Sequence, residues 1–111
     1  MPGVSLVEPL GYIEMLALVD MAHAVITDSG GLQEETTVLG VPCFTVRDTT
    51  ERPITVSEGT NVVVRDPDTL PMLVDSACRR CPPPALPGWD GHAAERIVEA
   101  LVSRAQRATV A

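Results

Sequence analysis

The stretch Thr27-Asp28-Ser29-Gly30-Gly31-Leu32-Gln33-Glu34-Glu35 carries the residue types with most to offer a ligand. Two adjacent glycines have no Cβ, so the backbone can approach a ligand closely and can adopt positive φ. The apolar run Ala24-Val25-Ile26 leads in, and a mixture that suits a helix leads out as far as Gly40. That is strand, tight glycine turn, helix. A helix placed there points unpaired N–H groups and its positive dipole end at the turn. A phosphate is then stabilised without any lysine. Ser29 adds a hydroxyl donor. Glu35, about one helical turn further in, is placed to accept from sugar hydroxyls rather than to meet the phosphate.

Ser-Gly-Gly at a strand-to-helix turn also occurs where nothing binds. Here a second motif follows at short range: Arg47-Asp48-Thr49-Thr50-Glu51-Arg52-Pro53. It comes just after an apolar run, on the same edge as the glycine turn if the two strands are parallel. Ligands bind outside the carboxyl ends of such strands. Arg52 could bring its planar fork to phosphate oxygens. Thr49 and Thr50 could cap a short helix or contact the ligand, and Pro53 suits a first helical turn. The plainer alternative is a charged, capped surface loop.

The elements that must position these motifs can be read along the chain. Val4 to Val7 is a short apolar run expected as a buried strand. Tyr12 to Ala22 is apolar nearly all round, which predicts a helix buried on several sides. His23 suits the negative end of that helix. Ala24 to Thr27 is the second strand and Gly31 to Leu39 the second helix, with Gly40 as its C-cap and Pro42 as a stop. Cys43 to Val46 is the third strand, its cysteine a small core residue. Gly59-Thr60 turns into a fourth strand, Asn61 to Val64. Asp66-Pro67-Asp68 starts a weak helix running to about Arg80, and Pro82 to Pro87 is extended. Asp90 is the expected N-cap of a final helix. Its apolar positions Ala93, Ala94, Ile97, Val98, Leu101, Val102 and Ala105 repeat at helical spacing. The tail beyond Ala105 is expected to fray. Four strands alternating with helices predict an α/β fold: a parallel, Rossmann-like sheet with right-handed crossovers and helices on both faces.

Composition bounds the function. The chain has 111 residues, enough for one domain. At that length roughly two-thirds of the unfolded surface can be buried. Its net charge is −7, and all eight basic residues are arginine. An acidic chain without a basic stripe, with Tyr12, Phe44 and Trp89 as its aromatics, argues against nucleic acid. It does not argue against a nucleotide. Three cysteines do not suggest a disulfide framework. The pair Cys78 and Cys81 could be a redox motif or half a zinc site, but a second pair is lacking and three prolines follow directly. No metal is expected. No signal peptide is visible and no apolar run approaches membrane-spanning length, so a cytoplasmic location away from the membrane is the default.

The combined string from Thr27-Asp28-Ser29-Gly30-Gly31 through Gln33-Glu34-Glu35, Leu39-Gly40-Val41-Pro42 and Arg47-Asp48-Thr49-Thr50-Glu51-Arg52-Pro53 closely resembles the non-hydrolysing UDP-N-acetylglucosamine 2-epimerases. The resemblance continues through Glu58-Gly59-Thr60-Asn61 and reaches Gly88-Trp89-Asp90-Gly91. It implies the C-terminal half of a GT-B-type domain. Residues 1–111 would be a partial C-terminal nucleotide-sugar-binding domain, with the N-terminal catalytic domain absent. Enzymes of this family interconvert UDP-N-acetylglucosamine and UDP-N-acetylmannosamine by eliminating UDP across C1–C2 and adding it back. No nicotinamide or other organic cofactor is implied.

By resemblance, Ser29, Gly30 and Gly31 hold the diphosphate, Arg52 stabilises its charge as it leaves, and Glu35 holds the ribose. The Leu10 backbone and the Met15 side chain lie near the base, although on residue type alone Met15 reads as core. The family's acid and base carboxylates lie earlier than this chain begins, so no catalytic residue is assigned. The chain alone is expected to bind UDP weakly and not to epimerise. Two departures are noted: Ile54 follows Pro53 where the family usually has glutamate, and Thr36-Thr37 replace small residues. Neither removes a nucleotide ligand. The partner expected is UDP-N-acetylglucosamine or UDP. A truncated domain also exposes apolar surface, open to a missing first domain or to a second copy as a homo-oligomer. The alternatives are a hydrolysing epimerase or glycosyltransferase of the same fold, a non-catalytic UDP-binding or interaction module, and a remnant without function.

Overall fold

A computed structural model describes residues 1–109. In chain order its elements are α1 (Tyr12–Met21), β1 (Val25–Thr27), α2 (Gly30–Leu39), β2 (Cys43–Val46), α3 (Pro53–Ser57) and β3 (Asn61–Val64). A single 3-10 turn at Pro67–Thr69 leads into α4 (Leu70–Ser76), and α5 (Ala93–Thr109) closes the chain. The three strands form one parallel sheet in the order β1-β2-β3. Val25 lies beside Cys43 and Cys43 beside Asn61, so the register runs straight across. Each strand-to-strand connection passes through a helix, as parallel pairing requires.

The expected first strand is absent. Residues 4–7 form no regular element, and Val4, Leu6 and Val7 are exposed. A strand needs a neighbour for its N–H and C=O groups. Of the three strands, β2 has both sides occupied and β1 and β3 are the edges, and none of them pairs with residues 4–7. The expectation for α1 is corrected as well. Val19 is its one buried residue, and Tyr12, Ile13, Leu18 and Met21 stand in solvent. Its apolar surface is real but uncovered. The weak helix ends at Ser76 rather than Arg80, and α5 runs on through Thr109 rather than fraying after Ala105.

The sheet has unequal faces. Cys43, Thr45 and Asn61 point to the side packed by α2 and α3, where all three are buried. On the other side Phe44 and Val64 are buried, while Ile26 and Val62 remain 53% and 42% exposed. The apolar core is small: Val19, Val41, Cys43, Phe44, Val64 and Leu86. Burial pushes the Cys43 thiol up from its ordinary pKa, which fits a structural rather than a reactive cysteine. Gly40 ends α2 in the left-handed region at φ 75°, and Val41 N–H donates to the Thr36 carbonyl at 2.9 Å. This is the expected glycine C-cap.

The residues around Cys78 and Cys81 form a strap over helix ends. Arg79 donates to the Asp20 and Leu39 carbonyls near the ends of α1 and α2. Arg80 donates to the Gly59 carbonyl just beyond α3 at 3.3 Å. Cations suit these negative helix ends. The helix α5 contains no buried residue. The Cα radius of gyration is 18.0 Å, against about 13 Å for a compact chain of 100 residues, so the molecule is extended. Among the described residues, no helix is long and apolar enough to cross a membrane, and no group of three or more His, Cys, Asp or Glu could hold a metal.

Candidate functional site

Parallel pairing of β1 and β2 puts the residues after Thr27 and the residues after Val46 at one edge of the sheet. Both sequence motifs therefore meet at the carboxyl ends of neighbouring strands, the place where open α/β sheets take ligands. Ser29 is the N-cap of α2, with φ −82° and ψ 132°, and Gly30 and Gly31 are its first two residues. Neither glycine has positive φ. Neither glycine is therefore there for an unusual turn. A Cβ on Gly31 would meet only Ser29 Oγ, at 4.0 Å, so that backbone is open to approach. A Cβ on Gly30 would collide with the Glu51 carboxylate. Glu51 thus lies against the N-terminus of α2, where the helix dipole favours an anion.

Arg52 is the N-cap of α3, and Pro53 opens that helix as expected. Arg52 Nε faces Glu34 Oε1 at 2.7 Å in an ion pair, without the alignment of a hydrogen bond. Arg47 Nη1 pairs with Glu51 Oε2 at 2.7 Å. The Glu51 carboxyl sits below its ordinary pKa, held there first by a backbone N–H of its own residue and then by Arg47. Each arginine of the second motif is therefore matched by a carboxylate. The Arg52 contact uses Nε, which leaves both terminal guanidinium nitrogens for oxygens of a ligand.

Beneath these loops lies a buried polar layer that sequence reasoning missed. Gln33, Thr36, Thr37, Thr45, Thr55 and Asn61 are all buried. The Gln33 amide donates from Nε2 to the Ser29 carbonyl at 3.2 Å. Its Oε1 accepts from Thr50 Oγ1 at 2.5 Å and from Asn61 Nδ2 at 2.9 Å. Thr50 Oγ1 also accepts the Arg52 backbone N–H at 2.9 Å. Asn61 Nδ2 donates to Thr55 Oγ1 at 3.0 Å, and Thr55 Oγ1 donates to the Arg52 carbonyl at 2.7 Å. Thr45 Oγ1 donates to Asn61 Oδ1 at 2.6 Å and fixes the orientation of that amide. Thr50, taken from sequence as a cap or a ligand contact, is thus part of the support. One signal was available: Gln33, Thr36 and Thr37 share one helical face, where a purely apolar stripe would be ordinary.

Glu35 lines a depression of about 280 Å³ between α1 and α2, together with Tyr12, Leu16, Glu34, Val38 and Leu39. Its carboxylate makes no ion pair among the described residues. Met15 is 36% and Leu10 43% exposed. No hydrogen bond or ion pair among the described residues joins either of them to the Ser29 turn or to Arg52. The structure thus links the Ser29 turn to the Arg52 loop through Gln33 and Thr50, and puts Glu35 on α2. It leaves Leu10 and Met15 at the start of α1.

Comparison with known proteins identifies the family and the fold. Residues 1–102 match the family described as UDP-N-acetylglucosamine 2-epimerase. The UDP-N-acetylglucosamine 2-epimerase of Methanocaldococcus jannaschii is 42% identical over 99 residues, covering 88% of this chain and 27% of that protein. A probable UDP-N-acetylglucosamine 2-epimerase of Ralstonia solanacearum is 41% identical over 106 residues, covering 89% and 28%. The crystal structure of the Methanocaldococcus jannaschii enzyme in complex with UDP-GlcNAc and UDP superimposes with a TM-score of 0.75 over 87% of this chain and 27% of that one. That neighbour has a GT-B fold, and the matched part is its C-terminal portion. The chain thus spans about 27% of the length of such relatives, and it belongs to the UDP-N-acetylglucosamine 2-epimerase family.

Proposed function

We propose that residues 1–111 form the UDP-holding part of a UDP-N-acetylglucosamine 2-epimerase, a partial C-terminal nucleotide-sugar-binding domain. The observation that carries this reading is the meeting of the Ser29 turn and the Arg52 loop at the carboxyl ends of β1 and β2. The N–H groups at the start of α2 take the diphosphate, and the bare Gly31 backbone lets it come close. The free end of Arg52 takes the charge that grows as UDP leaves, a kind of stabilisation that is often the largest catalytic contribution. Glu35 accepts from the ribose hydroxyls, and Leu10 and Met15 border the base.

Epimerisation also needs an acid and a base positioned at the sugar C2 proton. No pair of carboxylates or histidines on this chain is assigned that work, so the chain by itself holds UDP without turning over the sugar. The exposed apolar faces of α1 and α5 fit contact with a first domain or with a second copy. The test is an amide NMR titration with UDP, followed by incubation with UDP-N-acetylglucosamine in heavy water. Shifts confined to residues 10–15, 29–35 and 50–55, with no deuterium entering C2, support the reading. Shifts elsewhere, or deuterium at C2, overturn it.

A further inference from the structure

The polar layer under the site closes on itself. From the Arg52 backbone N–H it passes to Thr50 Oγ1, from Thr50 to Gln33 Oε1, and from there to Asn61 Nδ2. It returns through Thr55 Oγ1 to the Arg52 carbonyl. The Arg52 residue is therefore gripped on both sides of its Cα by one ring of side chains. Gln33 alone in that ring also reaches the other loop, through its donation to the Ser29 carbonyl. Gln33 is fully buried and its carbonyl has two donors converging on it. A buried amide so engaged has one low-energy orientation, because reversing it would set donor against donor.

We infer that Gln33 is the positioning residue that sets the spacing between the Ser29 turn and the Arg52 loop, and so presents both to one diphosphate. This rests on the UDP-holding function proposed above. Gln33 touches no ligand in this account; it acts through Thr50 and the Ser29 peptide. A residue that merely filled the core would be replaceable by an apolar side chain of similar length without any specific effect on the two loops. The ring instead makes Arg52 placement depend on one hydroxyl, that of Thr50, which lies 17 residues from Gln33 in sequence.

The test compares Thr50→Val, Thr50→Ser, Gln33→Met and the double variant Gln33→Met/Thr50→Val in the 111-residue chain. Two readouts are taken: amide hydrogen exchange without ligand, and UDP affinity by calorimetry. Losing the two hydrogen bonds of the Thr50 hydroxyl should weaken UDP binding by about tenfold in Thr50→Val, with Thr50→Ser restoring it. Exchange should quicken at residues 29–32 and 50–55 and stay unchanged at 43–46. In the Gln33→Met background, Thr50→Val should cost clearly less than it does alone, because the Gln33–Thr50 bond is already gone and only the Arg52 N–H bond remains to lose. Additive losses, equal behaviour of the Val and Ser variants, or exchange quickened evenly along the chain would overturn the inference. If Gln33→Met does not fold, the half-buried Thr50 pair of variants decides alone. Absence of UDP binding by the unmodified chain would overturn the UDP reading and this residue's role for a ligand. The exchange pattern would still uphold or overturn the coupling of the two loops.

Discussion

The Arg80 backbone N–H donates to the Gly40 carbonyl at 2.9 Å, and the Arg80 carbonyl in turn occupies the space where a Cβ on Gly40 would stand. The end of α2 and the strap around residues 78–83 are thus seated on each other. Gly40 also holds φ 75°, where other residues are strained. Gly40→Ala is expected to cost about 1–3 kcal/mol of stability, read as a lower urea midpoint with an unchanged slope. An unchanged midpoint would contradict both the seating of the strap on Gly40 and the strain at φ 75°.

Gly31 makes the opposite case. Nothing but Ser29 Oγ at 4.0 Å stands near its Cβ position, and it lies in the first turn of α2. Gly31→Ala should leave stability unchanged or raise it by up to about 1 kcal/mol. UDP affinity should nonetheless fall, because the new methyl stands where the diphosphate approaches. Thermal unfolding and calorimetry on the same sample separate the two effects. Equal affinity for both proteins would contradict the approach over Gly31.

Arg52 uses Nε on Glu34, and among the described residues its terminal nitrogens make no hydrogen bond or ion pair. A lysine could make one contact or the other, not both. Arg52→Lys is therefore expected to lose UDP affinity nearly as far as Arg52→Ala, about tenfold or more. Full retention of affinity in the lysine variant would mean that only charge matters at this position.

Asp90 sits below its ordinary carboxyl pKa, first because Arg96 grips it and then because the His92 backbone N–H donates to it. Arg96 Nη1 lies 2.9 Å from Asp90 Oδ2. A depressed folded-state pKa contributes stability above the unfolded value, about 3.9, and that contribution is lost as pH falls through the folded value. The Asp90 carboxyl resonance should titrate at lower pH than an ordinary aspartate, and Arg96→Gln should move it back up. An unmoved midpoint would show that the pair does not form in solution.

The final helix carries an apolar stripe left open among the described residues: Ile97, Val98, Leu101 and Val102 are 50–63% exposed. Ile97→Glu with Leu101→Glu should change the stability of the chain by no more than about 0.5 kcal/mol. If copies associate through this stripe, light scattering after size exclusion should show the apparent mass falling to that of a monomer. A larger stability loss would show that α5 docks on its own domain.

Much of the fold was legible because the breakers and apolar runs are local signals. Val25–Thr27, Cys43–Val46 and Asn61–Val64 are the strands that the runs predict, and Gly40 and Pro53 stop and start helices where expected. Residues 4–7 have the same local signal yet form no strand, since pairing depends on a neighbour that no local pattern reports. Tyr12–Met21 is a helix as read, but the burial of its apolar surface depends on what lies opposite. Asp90 was expected as the N-cap of α5; it instead accepts from His92 N–H, three residues before the helix begins. In α2 the usual pattern is inverted, with Gln33, Thr36 and Thr37 buried and Val38 exposed. That inversion hid the polar layer, because its partners Thr50, Thr55 and Asn61 come from other segments. The glycine turn and Arg52 were visible from residue type and spacing alone, whereas the placing of Leu10 and Met15 rests on resemblance.

The most direct test of the central claim is calorimetric titration of the folded chain with UDP, alongside Arg52→Ala and Gly30→Val. A preserved half-site predicts saturable one-to-one binding that both substitutions weaken while the circular dichroism spectrum stays the same. A folded chain that shows no heat with UDP, or binds it equally well after both substitutions, would contradict the claim that the Ser29 turn and Arg52 together hold the diphosphate.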